Sequence, residues 1–147
     1  MRIQKSKVII DTNLWISFLL TNDLSILDTL ISGNKIALVF SQELIDEFVE
    51  VSQRNKFRKY FALDDVENLL IKIRSQALLI TVKSKVEVCR DGKDDFLLAL
   101  AIDGKATHLI TGDKDLLVLK KYGDTKILTI NEYLSEMDVA AKSTRAT

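Results

Sequence analysis

The chain has 147 residues, 21 of them Lys or Arg and 21 Asp or Glu, with one Cys and one His. A chain of that length forms one domain that buries roughly 70% of the surface its unfolded form exposes, and it lacks the eighteen or so consecutive apolar residues of a membrane-spanning helix. Zero net charge denies it a bulk positive field, lone Cys89 excludes an intramolecular disulfide framework, and one His with one Cys cannot furnish a soft-ligand zinc site.

A soluble protein without a signal peptide is therefore expected, with no membrane partner and a cytoplasmic location that suits a free thiol. Any metal must be held by oxygen, which points to Mg²⁺ or Mn²⁺.

The first element is the apolar run Val8-Ile9-Ile10, read as strand one, and it runs straight into Asp11. Thr12 and Asn13 start a helix through Leu14, Trp15, Phe18 and Leu19, and a second helix is expected from Leu24 to Ile31. Ile36 to Phe40 is strand two. Ser41 caps a helix reaching about Gln53, and another spans about Asp64 to Gln76, where Asp64 and Glu67 have capping-box spacing and Val66, Leu69, Leu70 and Ile73 make a buried stripe. Leu78 to Val82 is strand three. A loop with Lys83, Lys85, Arg90 and Gly92 leads into a helix from Asp94 to Ile102 that stops at Gly104. His108 to Thr111 is strand four and Lys126 to Thr129 is strand five. A last helix runs from Asn131 to about Met137, so the domain is expected to occupy residues 1–138 and to leave a mobile tail, 139–147. Alternating strands and helices imply a parallel sheet covered by helices on both faces, while leaving strand order open.

The acids carry the chemistry. Asp11 ends strand one, and Leu109-Ile110-Thr111-Gly112-Asp113 repeats the device at strand four, so both carboxylates emerge at one rim of a parallel sheet, where open α/β folds bind ligands. Neighbouring strands lie about 4.8 Å apart, close enough for two terminal carboxylates to share an ion. On the helix after Ser41, Leu44, Ile45, Phe48, Val49 and Val51 define the buried face at 100° per residue, and Glu47 sits at its margin while Asp46 and Glu50 point away. Asp94 opens a helix whose interior is almost wholly apolar. Each acid also has a plain structural reading: Asp11, Asp94 or Asp95 as helix caps, Asp91 as the cap of a preceding turn, Asp115 as an early-turn acid and Glu47 as a half-exposed helix residue. Together they change the balance, because two carboxylates 4 Å apart repel by roughly 4 kcal/mol at an effective dielectric constant near 20. A cluster of them needs protons or a cation, and a divalent cation suits phosphodiester hydrolysis. The run Arg54, Lys56, Arg58, Lys59 is either a phosphate-facing patch or a solvated helix end.

Four stretches in register resemble a known family: VIIDTNLWISFLL at 8–20, SQELIDEFVEVSQRNKF at 41–57, CRDGKDDFLLALAIDGKATHLITGDKDLLVL at 89–119 and ILTINEYL at 127–134. They are similar to the PIN-domain ribonucleases, most closely the toxin component of prokaryotic toxin–antitoxin modules (VapC-like). The resemblance implies a three-layer α/β/α domain with a five-stranded parallel sheet in the order 3-2-1-4-5. It implies an acid quartet at Asp11, Glu47, Asp94 and Asp113, serving as catalytic residues and as ligands of Mg²⁺ or Mn²⁺, with Asn13, Thr111 and Asp115 in support. It further implies cleavage of single-stranded or looped RNA, with Arg90, Lys93 and Lys114 near the backbone, a protein antitoxin and a homodimer. One departure is Gly92, where the family often has proline.

Two phosphate-handling folds fit less well. A haloacid-dehalogenase phosphatase would carry a second Asp where Asn13 stands, and a receiver domain would pair acids near strand one. The alternative from another class is a non-catalytic PIN-like scaffold binding RNA or protein, which metal-dependent stabilisation would distinguish. Trp15 is read as core, His108 as a strand-start residue and Cys89 as a loop or strand-end thiol. The apolar content of the first two helices, Trp15, Phe18, Leu20, Leu24 and Leu27, suggests a surface for a second copy or an antitoxin.

Overall fold

A computed structural model describes the backbone of residues 6–21 and 36–145, with side chains described as far as Met137. Strand β1 (Ser6–Ile10) leads into helix α1 (Thr12–Thr21), and β2 (Ile36–Phe40) leads into α2 (Gln42–Ser52). A 3₁₀ turn (Asn55–Phe57) precedes α3 (Leu63–Gln76), which passes directly into β3 (Ala77–Leu79). After an extended segment come α4 (Gly92–Asp103), β4 (His108–Ile110), the short α5 (Lys114–Leu117), β5 (Lys121–Tyr122), β6 (Thr125–Leu128) and α6 (Ile130–Arg145). The helix expected from Leu24 to Ile31, with Leu24 and Leu27, lies outside the described residues.

The sheet has the order β3-β2-β1-β4-β6-β5, and all neighbours are parallel except the β5–β6 pair. The expected order 3-2-1-4-5 holds for the parallel part, since β6 is the strand read from Lys126 to Thr129. The strand count is corrected from five to six. Lys121 and Tyr122 pair antiparallel with Lys126 and Thr125 around Gly123-Asp124, where Gly123 has φ 58°. A two-residue strand carries no periodicity, so only its turn marks it; a positive φ at the first central position is what glycine supplies in a tight hairpin.

Continuous apolar runs become strands because both faces of the sheet are covered. Val8, Ile9, Ile10, Leu109 and Ile110 are all essentially inaccessible. Trp15 packs edge to face on Phe18 and against Phe40, so both aromatics of α1 belong to this core, while Leu20 stays exposed. Ser41 caps α2 as expected, its hydroxyl accepting from the Leu44 N–H.

Several boundaries shift. The N-cap of α3 is Ala62, whose N–H donates to Asp65, so the Asp64–Glu67 capping box is not the one used. Helix α4 starts at Gly92 with Asp91 as its cap, and α6 continues past Met137 to Arg145. Gly104 does end α4, but with φ −86°, and it is Lys105 that takes the left-handed φ of 52°. Glycine is needed there for approach instead: a Cβ would stand 2.8 Å from Val39 Cγ1 and 3.0 Å from the Leu100 carbonyl.

Candidate functional site

The parallel pairing of β1 with β4, Ile10 opposite Ile110, puts the two strand-end acids at one rim. Asp11 extends the ladder through its N–H to the Ile110 carbonyl at 3.0 Å. Thr111, buried beside it, donates its hydroxyl to Asp11 Oδ2 at 2.8 Å and accepts the Asp113 N–H at 3.0 Å. One hydroxyl thus fixes the first strand-end carboxylate and the backbone of the second.

Both acids also serve helix starts. Asp11 Oδ1 receives the Asn13 N–H at a long 3.4 Å, and Asp113 Oδ1 caps α5 by accepting the Asp115 N–H at 2.9 Å. Capping and facing a cavity are therefore compatible, because each carboxylate has a second oxygen.

For Asp94 the capping reading fails. Asp91 is the N-cap of α4 and accepts the Lys93 N–H at 2.9 Å, whereas Asp94 is only 5% exposed and its Oδ2 is buried without a hydrogen-bond partner. Asp95 has a separate task, accepting from the Val88 and Cys89 N–H groups and tying the incoming chain to the helix. Those bonds hold its carboxyl below the ordinary value.

A cavity of about 210 Å³ opens at this rim, and Asp11, Asn13, Glu47, Asp91, Asp94 and Asp113 line it with Arg54 and Lys93. Carboxylate oxygens of Asp94, Asp113 and Asp115 lie within 4.8 Å of one another. Asp115, read from the sequence as a supporting acid, stands in this acidic triple. Asp11 and Glu47 face the same space from β1 and α2. The expected cations divide: Lys93 Nζ lies 4.0 Å from Glu47 Oε1, Arg90 is fully exposed and pairs with Asp115 at 2.9 Å, and Lys114 is exposed outside the lining. Two lining residues, Asp91 and Arg54, carried no assignment to the cavity in the sequence. Asp91 was legible only as a cap, and Arg54 only as part of a basic run.

The electrostatics follow from crowding. Burial pushes the Asp94 carboxyl up to about 7, helped by the bond its protonated form can donate to Asp113 and by the charges of Asp113, Asp91 and Asp11. Burial also raises Asp11, against the pull of the Thr111 and Asn13 hydrogen bonds, with Asp113 raising it further. Glu47 is raised by burial and opposed by Lys93. Raised carboxyls around an orphaned oxygen mean that the site favours a proton or a cation. An all-oxygen donor set fits a hard divalent cation, and the Asp94, Asp113 and Asp115 triple can offer it one oxygen each.

A mostly parallel α/β sheet with acids gathered across its two central strand ends is a framework for binding a cation. A family model described as PIN domain matches residues 7–115, and the chain belongs to that family, whose members are in general metal-dependent nucleases. The chain is also 36% identical over 131 residues to uncharacterized protein MJ1680 of Methanocaldococcus jannaschii, a match covering 86% of this chain and 82% of that protein.

Proposed function

We propose that the protein is a Mg²⁺- or Mn²⁺-dependent endoribonuclease, the toxin of a type II toxin–antitoxin module acting in the cytoplasm. The observation that carries the catalytic reading is the convergence of Asp11 and Asp113, just past the ends of β1 and β4, with Glu47 of α2 and Asp94 of α4 on one cavity with a buried unpartnered oxygen. Family membership and the order of the four motifs support it.

In this reading Asp11, Asp94 and Asp113 hold the ion, and Glu47 holds it or orients the attacking water. A divalent cation held by these residues would neutralise the acids, lower the pKa of a water and offset charge on the phosphoryl oxygen. Thr111 keeps Asp11 and the Asp113 backbone in fixed relation, so the ligand geometry is set before substrate arrives. Water attacks phosphorus in line as the P–O3′ bond breaks, and the departing 3′ oxygen takes a proton from solvent, leaving a 5′ phosphate and a 3′ hydroxyl. Glu47 sits beside Lys93 with its carboxyl raised, suited to accepting the proton of that water. Asn13 and Asp115 support the acids, while Arg90, Lys93 and Lys114 meet the RNA backbone. The antitoxin partner and a homodimer belong to the same reading.

Asp11→Asn and Asp113→Asn should each lower Mn²⁺-dependent cleavage of single-stranded RNA by at least about 100-fold, since outer partners of metal ligands alone are worth 10- to 100-fold. Full activity retained in both variants would overturn the site assignment.

A further inference from the structure

Between Glu50 and Asp64 the chain carries Arg54, Lys56, Arg58 and Lys59 and no acid. The aromatics Phe57, Tyr60 and Phe61 are interleaved with them. Phe57 and Phe61 stack with centroids 6.0 Å apart and rest against the core, which anchors the segment. Tyr60 is left 60% exposed. The Lys56 ammonium lies 5.0 Å from the Phe57 centroid and the Lys59 ammonium 5.5 Å from that of Tyr60, so cation and ring are presented together.

The segment starts at the acidic cavity with Arg54, while Tyr60 lines a separate pocket together with Leu19, Leu20 and Asp65. Arg54 lines the cavity, and the adjoining Ser52 and Gln53 line a groove of about 470 Å³ together with Arg58 and Phe61. Arg54 is held there by Glu50 at 3.1 Å, with the two side chains 44% and 63% exposed, a weak pair that can exchange its carboxylate for a phosphate.

We infer that residues 54–60 form a platform for single-stranded RNA, on which Tyr60 stacks a base and Arg54, Lys56, Arg58 and Lys59 meet successive phosphates of the strand leaving the cavity. The inference rests on the nuclease reading for the direction of the strand. The positive charge of this segment, local in a chain with no net charge, complements a polyanion, and an exposed ring among cations is what unpaired bases with accessible faces require. A duplex keeps its bases stacked internally and would not use Tyr60.

The test measures binding of a short labelled oligouridylate by fluorescence anisotropy in EDTA, over a range of KCl, so that no cleavage intervenes. Tyr60→Ala should weaken binding at least about fivefold, and Tyr60→Phe should retain it. Arg58→Ala/Lys59→Ala should reduce the magnitude of the salt slope by about 1.4, near 0.7 for each single-strand phosphate that is no longer neutralised. A duplex RNA should bind independently of Tyr60. If the wild type does not bind oligouridylate, or the variants keep its affinity and salt slope, the inference is overturned; the patch would then face a protein. Mn²⁺-dependent hydrolysis of bis-p-nitrophenyl phosphate, too small to reach Tyr60, should be unchanged in these variants. Its absence from the wild type, with Tyr60-dependent binding intact, would overturn the nuclease reading alone.

Discussion

Replacing Asp94 with Asn should stabilise the metal-free protein at alkaline pH and do little at acid pH. The Asp94 carboxyl is pushed from 3.8 up to about 7, first by burial and then by Asp113. A group with its pKa raised on folding keeps a proton that the unfolded chain has released, so stability declines as pH rises from 3.8 towards about 7 and stays low above it. Some three pH units correspond to about 4 kcal/mol, and water in the open cavity reduces this to on the order of 2 kcal/mol. Asn removes the charge at nearly the same volume and can still donate to Asp113. For a domain of this size the gain is about 4–8 °C in melting temperature. Calorimetric melts in EDTA at about pH 8 and about pH 4 would check it, with the gain expected only at the higher pH. An Asp94→Asn protein that melts below the wild type at the higher pH would refute the reasoning, as would an equal gain at both.

Thr111→Val keeps the shape but strands the Asp113 N–H and removes the donor to Asp11 Oδ2. A cost of about 1–3 kcal/mol in urea unfolding is expected, and an unchanged midpoint would mean the hydroxyl bridge contributes nothing. Gly104→Ala drives a methyl to 2.8 Å from Val39 Cγ1 and 3.0 Å from the Leu100 carbonyl. That overpacking should cost about 1–3 kcal/mol, and wild-type stability would contradict the close approach. Burial holds the His108 ring below its ordinary 6.5, with Glu136 opposing. Its contribution is complete above 6.5 and is lost as pH falls through the lower folded value, because the unfolded chain takes up the proton first. His108→Gln, made in the Asp94→Asn background to remove the opposing titration, should lose less melting temperature between about pH 7 and about pH 5; an identical loss would sink this assignment.

The strand-end acids were legible because a buried parallel strand is an uninterrupted apolar run, and whatever follows it must lie at the rim. Helical arithmetic placed Glu47 for a similar reason, since the face defined by Leu44 and Val51 leaves only its margin open to a cavity. Local rules failed where two of them competed. Asp91 and Asp94 both sit at the start of α4, and only the tertiary environment shows that Asp91 caps while Asp94 is buried. Asp115 approaches Asp94 because the four-residue α5 turns it back toward the rim, a bend with no periodic signature. Gly104 suited a left-handed helix end by type, yet the structure uses its missing side chain for packing against β2. Arg54 reaches the acids because helical spacing carries on for one more turn: it pairs with Glu50 four residues back and follows Glu47 and Val51 along the face that lines the cavity, a continuation past Gln53, where the expected helix stops.

The central claim is that acids from separate elements hold one divalent cation at the junction of β1 and β4. Crystals soaked in Mn²⁺ and measured for anomalous scattering test it most directly. An anomalous peak among the carboxylates of Asp11, Asp94 and Asp113, abolished by Asp113→Asn, is the predicted result. Saturating Mn²⁺ with no peak at that cavity, or with one unaffected by the substitution, would contradict the account.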